Sequence, residues 1–269
     1  MGEIIIGGQP LEIGATVIRW DQDGGFNGYD TSKVTFKEED RRTGKQVTKT
    51  IKGRRYKKTW KPRTVDNIKQ FVIHHTGGFK ADSCFNTLHN RRGLSVQFIL
   101  GDDGIIYQTL DAVELAWHAG KANKISTGVE CVLYPDAGAK PGAYREERCK
   151  RLGLAPHKKI IQTIQGRDRK VFQMPDEQVK ALAKLVAGVW VARYRFQPAR
   201  WSNWNPPMFP TASSGEIPTR TIQDALSHEG MIMHYHLSKN KWDAAGIRMR
   251  EFELTCGGYF RKFIQNTSA

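Results

Sequence analysis

The stretch Phe71-Val72-Ile73-His74-His75-Thr76-Gly77-Gly78 constrains this chain more than any other. Phe71 to Ile73 form an apolar run without polar alternation, the pattern of a short strand covered on both faces. Gly77-Gly78 ends that strand at once. Two imidazoles therefore stand where a buried strand gives way to a turn and a cleft can open. Imidazole is the commonest metal-binding side chain. Taken alone, His74 and His75 are either ligands or ordinary rim residues, and the downstream chain has to decide.

A chain of 269 residues can bury a large core as one domain with elaborations. Its net charge of +15 points to a polyanionic partner, whether nucleic acid, an anionic membrane surface or a bacterial wall with its carboxylates and phosphates. No helix-turn-helix, zinc finger or ribonucleoprotein signature supports the first of these. The cysteines Cys84, Cys131, Cys149 and Cys256 are too few and too scattered for a disulfide framework, and none forms a Cys-x-x-Cys pair. The start, Met1-Gly2-Glu3-Ile4-Ile5-Ile6-Gly7, lacks the charged and apolar regions of a signal peptide, and Ile6 stands where a myristoylation motif wants Ser or Thr. No stretch reaches the roughly 18 apolar residues of a membrane span. The expectation is a protein made in the cytoplasm, reaching any outside target only after release or delivery.

Residues 1–62 read as a basic, β-rich extension. Val34 and Phe36 face Val47 and Ile51 in a hairpin turned at Arg42-Thr43-Gly44-Lys45, followed by the cluster Lys52-Gly53-Arg54-Arg55-Tyr56-Lys57-Lys58. Residues 63–269 read as a second unit with insertions near 136–175 and 197–225. A helix is predicted over 82–92, closed by Gly93. Strands follow over 95–100 and 105–107, with Asp102-Asp103-Gly104 as the turn. A further strand, Gly128 to Leu133, carries Glu130 among apolar neighbours, where a carboxylate must be paired, metal-linked or functional. A hairpin is expected around Gln165-Gly166-Arg167-Asp168. Pro175-Asp176-Glu177 opens a long helix whose Val179, Leu182, Ala183, Val186, Val189 and Trp190 form one core-facing stripe before Pro198. The segment around Trp201 and Trp204 is a loop, read as a lid packed on the body or as a ligand platform.

His228-Glu229 resembles the start of a zincin motif, but Ile232 stands where the second histidine is needed, and that reading fails. His234 and Asp243, separated by a loop, can bind one ion from the same side. With His74 they make His, His and Asp, three protein ligands with an open fourth position, the arrangement of a catalytic zinc. Lys241 lies two residues before the acid and can meet an oxyanion.

His74-His75-Thr76, then Trp117-His118-Ala119-Gly120, Thr127-Gly128-Val129-Glu130 and finally His234 with Lys241-Trp242-Asp243 resemble the zinc-dependent N-acetylmuramoyl-L-alanine amidases. That family includes phage amidases, wall-recycling amidases and peptidoglycan-recognition proteins. Each motif alone is weak, but all four follow in the family's order across residues 69 to about 246. The resemblance implies an α/β fold with a central mixed β-sheet flanked by helices and one Zn2+ in a groove. It implies hydrolysis of the amide between N-acetylmuramic acid and L-alanine in peptidoglycan or its muropeptide fragments. His74, His234 and Asp243 match the metal ligands, Glu130 the general base and Lys241 the residue that steadies the tetrahedral intermediate. His75, Trp117 and His118 match positions in the substrate groove. The chain departs from the family at Val96, where some relatives place a tyrosine. It departs again at Met233-His234 and at Asp243-Ala244-Ala245-Gly246, which leaves His236 as the alternative second ligand. Cys84 has no cysteine partner beside it in the predicted helix. Two readings follow: a bacteriolytic hydrolase of the endolysin or effector type, or a module of the same fold that grips peptidoglycan without cutting it. A complete ligand set favours the hydrolase.

Overall fold

A computed structural model of the protein describes residues 2–30, 34–40, 43–51, 56–57, 64–134, 157–196, 222–238 and 240–265, with a few isolated residues between them. The segments around Trp201, Trp204 and Pro198, the loop over 136–145 and most of the 52–58 basic cluster lie outside the described residues.

The body is a six-stranded mixed sheet. In chain order its strands are β3 (Val17–Arg19), β7 (Gln70–His75), β8 (Phe98–Leu100), β9 (Ile106–Gln108), β11 (Ser126–Cys131) and β14 (Gly230–Met233). They lie side by side as β14-β7-β11-β8-β9-β3. β14, β7, β11 and β8 run parallel, β9 turns back antiparallel on β8, and β3 pairs parallel with β9 at the edge. Register fixes what each face carries, because side chains alternate along a strand. Val72, Ile73 and His74 stand opposite Gly128, Val129 and Glu130, and Ile232 and Met233 stand opposite Val72 and Ile73.

One face is sealed. Phe71, Ile73, Val129, Cys131, Met231 and Met233 are buried in one cluster with residues of two long helices, α2 (Asp176–Phe196) and α5 (Met249–Gln265). The stripe read in the sequence is what α2 buries: Leu182, Val186, Val189 and Trp190 are at most 1% exposed. Each such side chain contributes about 1.5–3 kcal/mol when fully buried. At the start of α2, the Gln178 amide donates to the carbonyls of Leu100, Gly101 and Val132, tying the helix to the strand ends.

The N-terminal strands share this core. β1 (Gly2–Ile6) and β2 (Gln9–Ala15) form a hairpin turned by Gly7 and Gly8 at φ 63° and 76°, a backbone that favours glycine. Ile4, Ile6, Leu11 and Ile13 lie under α2 in the same cluster. Asp111 caps the turn by accepting from the Gly7 and Gly8 amides at 2.8 and 2.7 Å. The predicted hairpin is β4 (Val34–Glu39) against β5 (Gln46–Ile51). β6 (Tyr56–Lys57) pairs with β10 (Leu115–Ala116), immediately before Trp117.

The opposite face is only partly covered. The predicted 82–92 helix is α1 (Ala81–Phe85), continued as one π-helical stretch over Asn86–Arg92 and ended by Gly93 in the left-handed region at φ 64°. It packs over Ile99 and Val132. Val72 and Ile232 are covered by Ala119, Ala122 and Ala225, the last of these on α3 (Ile222–Ser227). Between these patches the sheet is left open. Among the described residues no helix is long and apolar enough to cross a membrane.

Candidate metal centre

The open part of the sheet is a groove of about 560 Å³. It lies where β7, β11 and β14 end, the position at which parallel strands present ligand-binding residues. His74 is the penultimate residue of β7, on the groove face with Glu130 directly beside it on β11. His234 follows β14 and opens α4 (His234–Leu237). Asp243 returns to the same place because its carbonyl accepts from the Tyr235 amide at 2.8 Å, closing the loop on itself.

Three ligand atoms converge. His74 Nδ1 lies 3.0 Å from His234 Nδ1, His234 Nδ1 lies 2.7 Å from Asp243 Oδ2, and His74 Nδ1 lies 3.4 Å from the same carboxylate oxygen. Ligands of a tetrahedral zinc with bonds of about 2.05 Å stand about 3.3 Å apart. The triangle is thus close to the edges such an ion requires, and two imidazoles with one carboxylate are a donor set it accepts. His74 is 2% exposed and His234 and Asp243 are 15% and 14% exposed, so an ion there would keep one side towards the groove.

The electrostatics prepare the same donors. Burial, then the neighbouring His234, lowers His74 to about 4, which keeps it neutral and able to ligate. Burial works against ionised Asp243, but hydrogen bonds from His234 and His74 hold its carboxyl well below the usual carboxylate range. Glu130 shifts the other way. Burial first and the charge of Asp243 second push it up to about 8, against the pull of Lys241 and Arg92. The two carboxylates of the groove thus shift in opposite directions, Asp243 towards its ionised form and Glu130 towards its protonated form.

A chain of hydrogen bonds orients His74. Its Nδ1 faces the ligand cluster and its Nε2 lies 3.0 Å from His118 Nδ1. His118 Nε2 lies 3.4 Å from Ser126 Oγ, and the Ser126 hydroxyl donates to the Ala122 carbonyl at 2.8 Å. An ion on His74 Nδ1 would leave Nε2–H to donate to His118, the outer partner that metal-bound histidines generally have. Gly128 makes room for it. A Cβ there would come within 2.5 Å of the His118 ring.

The remaining residues read from the sequence are placed as follows. Lys241 is exposed at the rim, in a turn closed by its amide on the Ser238 carbonyl at 3.2 Å, and it lines the groove with Trp117, His118 and Trp242. His75 also lines the groove, its ring edge-on to Trp242 with centroids 5.3 Å apart and its Nδ1 without a hydrogen bond. Trp117 is 39% exposed, one of three large hydrophobic side chains so exposed among the described residues. His236 points away from the cluster. Its Nδ1 accepts from the Met233 amide at 3.0 Å, and its ring packs against Phe209 and Tyr235. Val96 is buried against Ile99 under α1 and does not line the groove, and Cys84 is a free, buried thiol.

Sequence reasoning missed Arg92, Gly128 and Ser126. Arg92 ends the helix over the groove and acts on Glu130 from there. Gly128 left a readable signal, a residue without a side chain two positions before a buried acid on the same strand face. A second cavity of about 530 Å³ lies across the sheet between α2 and α5, lined by Met174, Val179, Phe252 and Tyr259 among others, with no imidazole in it.

The family profile of the N-acetylmuramoyl-L-alanine amidases matches residues 64–244. No curated protein matches the chain. Among solved structures, an endolysin N-acetylmuramoyl-L-alanine amidase from Clostridium intestinale is 14% identical, with 74% of this chain and 90% of that one covered at a TM-score of 0.39. AmpDh3 of Pseudomonas aeruginosa, solved with an anhydromuramic pentapeptide, is 13% identical over 76% of this chain and 65% of its own, TM-score 0.39. The Ph2119 endolysin of a Thermus scotoductus bacteriophage is 13% identical over 75% and 90%, TM-score 0.38. These likenesses are faint, and the assignment rests on the profile, which spans β7, Trp117, Glu130, His234 and Asp243. The chain belongs to the N-acetylmuramoyl-L-alanine amidase family.

Proposed function

We propose that this protein is a zinc-dependent amidase that cuts the bond between N-acetylmuramic acid and L-alanine in peptidoglycan. The observation that carries this reading is the convergence of His74 Nδ1, His234 Nδ1 and Asp243 Oδ2 beside Glu130. When bound, Zn2+ supplies Lewis acidity, polarising the scissile carbonyl and making a water acidic near pH 7. Glu130 accepts the proton of the attacking water and passes it to the leaving alanine nitrogen. Its raised affinity for a proton suits both transfers, while Lys241 and Arg92 keep the carboxylate form within reach at neutral pH. The Lys241 ammonium, free to swing at the rim, meets the developing oxyanion. Trp117, His118 and His75 line the groove where the stem peptide and the sugar would lie.

The net charge of +15 supports an insoluble, anionic wall as substrate over small soluble fragments. We assign the protein to wall degradation after release or delivery, in the manner of a lysin or a secreted effector. Digestion of purified peptidoglycan tests the reading. Free stem peptides beginning with L-alanine, lost on chelation and restored by Zn2+, are the expected product. An uncut wall that still binds the protein would make it a recognition module.

A further inference from the structure

The loop that carries His234, Lys241 and Asp243 is packed at its ends, where Tyr235, Ala244 and Ala245 are buried in the core, but its turn exposes backbone carbonyls that need partners. α4 is a single turn of four residues, too short to be stable by itself, and its last carbonyls lack partners within the helix. The bonds inside the loop, Tyr235 amide to Asp243 carbonyl and Lys241 amide to Ser238 carbonyl, close it on itself and do not anchor it to the sheet.

Those carbonyls find partners on the hairpin of β12 (Lys159–Ile164) and β13 (Arg167–Phe172). Gln165, at its turn, is the single non-glycine residue with positive φ, at 54°, among the described residues. Asn or Gly is usual at such a turn. The Gln165 amide nitrogen donates to the Tyr235 carbonyl at 3.0 Å and to the Ser238 carbonyl at 2.7 Å. It thereby caps the ligand-bearing turn from outside. Gln162 grips the far end of the loop, accepting from the Gly246 amide at 2.9 Å and facing the Ile247 carbonyl at 3.4 Å. Between these points the Arg169 guanidinium lies 4.9 Å from the centre of the Trp242 ring. None of these hairpin residues lines the groove, so none is placed to touch substrate.

We infer that the Lys159–Phe172 hairpin is a brace that holds the ligand loop against His74, and that Gln165 is the positioning residue through which it acts. The inference rests on the metal-centre reading above. Two of the three ligands and the oxyanion lysine sit on one segment. Beyond the ligand cluster it is tied to α5 by the Tyr235 hydroxyl on Met249 and to β14 by His236 on the Met233 amide. The carbonyls of its turn are held by Gln165 of the hairpin, so loss of that side chain loosens the turn between the ligands.

The test uses the full chain and a Gln165→Gly variant, which removes the side chain while suiting the left-handed backbone. Zinc affinity is read by competition with a chromophoric chelator, and amide exchange is followed on the metal-free protein. The expected result is a zinc Kd raised about 10–100-fold, the range for losing an outer support of a metal ligand. Faster exchange confined to residues 235–243 and an unchanged urea midpoint should accompany it. An unchanged Kd with unchanged exchange would overturn the brace. So would a lowered urea midpoint with exchange accelerated throughout β7 and β11, which would make Gln165 a general stability residue. If the parent chain holds no zinc, the metal-centre reading fails, and exchange over 235–243 still decides the brace.

Discussion

Along β7, Phe71 and Ile73 point towards α2 and α5, whereas Val72 and His74 point to the opposite face. The same alternation separates Val129 from Glu130 on β11 and carries β14 from Met233 into His234. On one face most neighbours are apolar, with Gln178 and Thr127 among the buried polar exceptions. On the other, four imidazoles and two carboxylates line an open groove. Burying a charge without a partner is costly; hydrogen bonds with His234 and His74 offset that cost for Asp243, while Glu130 answers it with a raised affinity for its proton. The strands thus hold stability on one side and chemistry on the other, and the two should fail separately.

The sharpest separation is expected at Glu130. Glu130→Gln should lower peptidoglycan hydrolysis by about 10²–10⁴-fold, the usual range for a general base, while zinc content and urea midpoint stay at parental values. Retained activity would remove Glu130 from the mechanism. Trp190→Ala, on the sealed face, should do the reverse. It should cost about 3–5 kcal/mol of stability in urea denaturation and leave one zinc bound per folded chain. Loss of zinc from the still-folded variant would show that the faces are coupled.

Asp243→Ala should weaken zinc at least about 10-fold, since even outer-shell partners cost 10–100-fold, and metal analysis after dialysis reads it. Acid should weaken the metal-free fold. His74 and His75 are held near 4 and His236 near 3, chiefly by burial. An unfolded histidine titrates near 6.5. Between these values the unfolded chain binds the extra protons, so this stability is complete above about pH 6.5 and is lost as pH falls towards 4. Glu130, raised to about 8, works in the opposite direction, but three histidines outweigh one glutamate. Urea midpoints in chelator should therefore fall from pH 6.5 to 4.5, and a flat profile would contradict the buried neutral imidazoles. The smallest effects are expected for Ser126→Ala and, somewhat above it, Gly128→Ala. Its methyl group would displace the His118 ring and lower zinc affinity by about 10-fold, with Ser126→Ala expected to have a weaker effect of the same sign.

The sealed face was the more legible in sequence. The α2 stripe and the apolar run of β7 have a period that burial imposes directly. Glu130 was legible for the converse reason, as an acid where periodicity wanted an apolar residue. His74, His234 and Asp243 could be listed as ligand types, but 160 residues separate His74 from His234, and only the β14–β7 register brings them together. The outward turn of His236 depends on one backbone bond to Met233, which no spacing rule encodes. The hairpin at Gln165 was visible as a turn, while its grip on the ligand loop is long-range and left no local pattern. Residues 2–19 read as part of a basic, β-rich extension, yet Ile4, Ile6 and Ile13 lie in the core under α2.

The most direct test of the account is elemental analysis of the purified chain, paired with mass spectrometry of digested peptidoglycan. The account predicts one zinc per chain and release of stem peptides with a free L-alanine amino terminus, abolished by chelator. A folded chain that binds no zinc and still releases those peptides would contradict it.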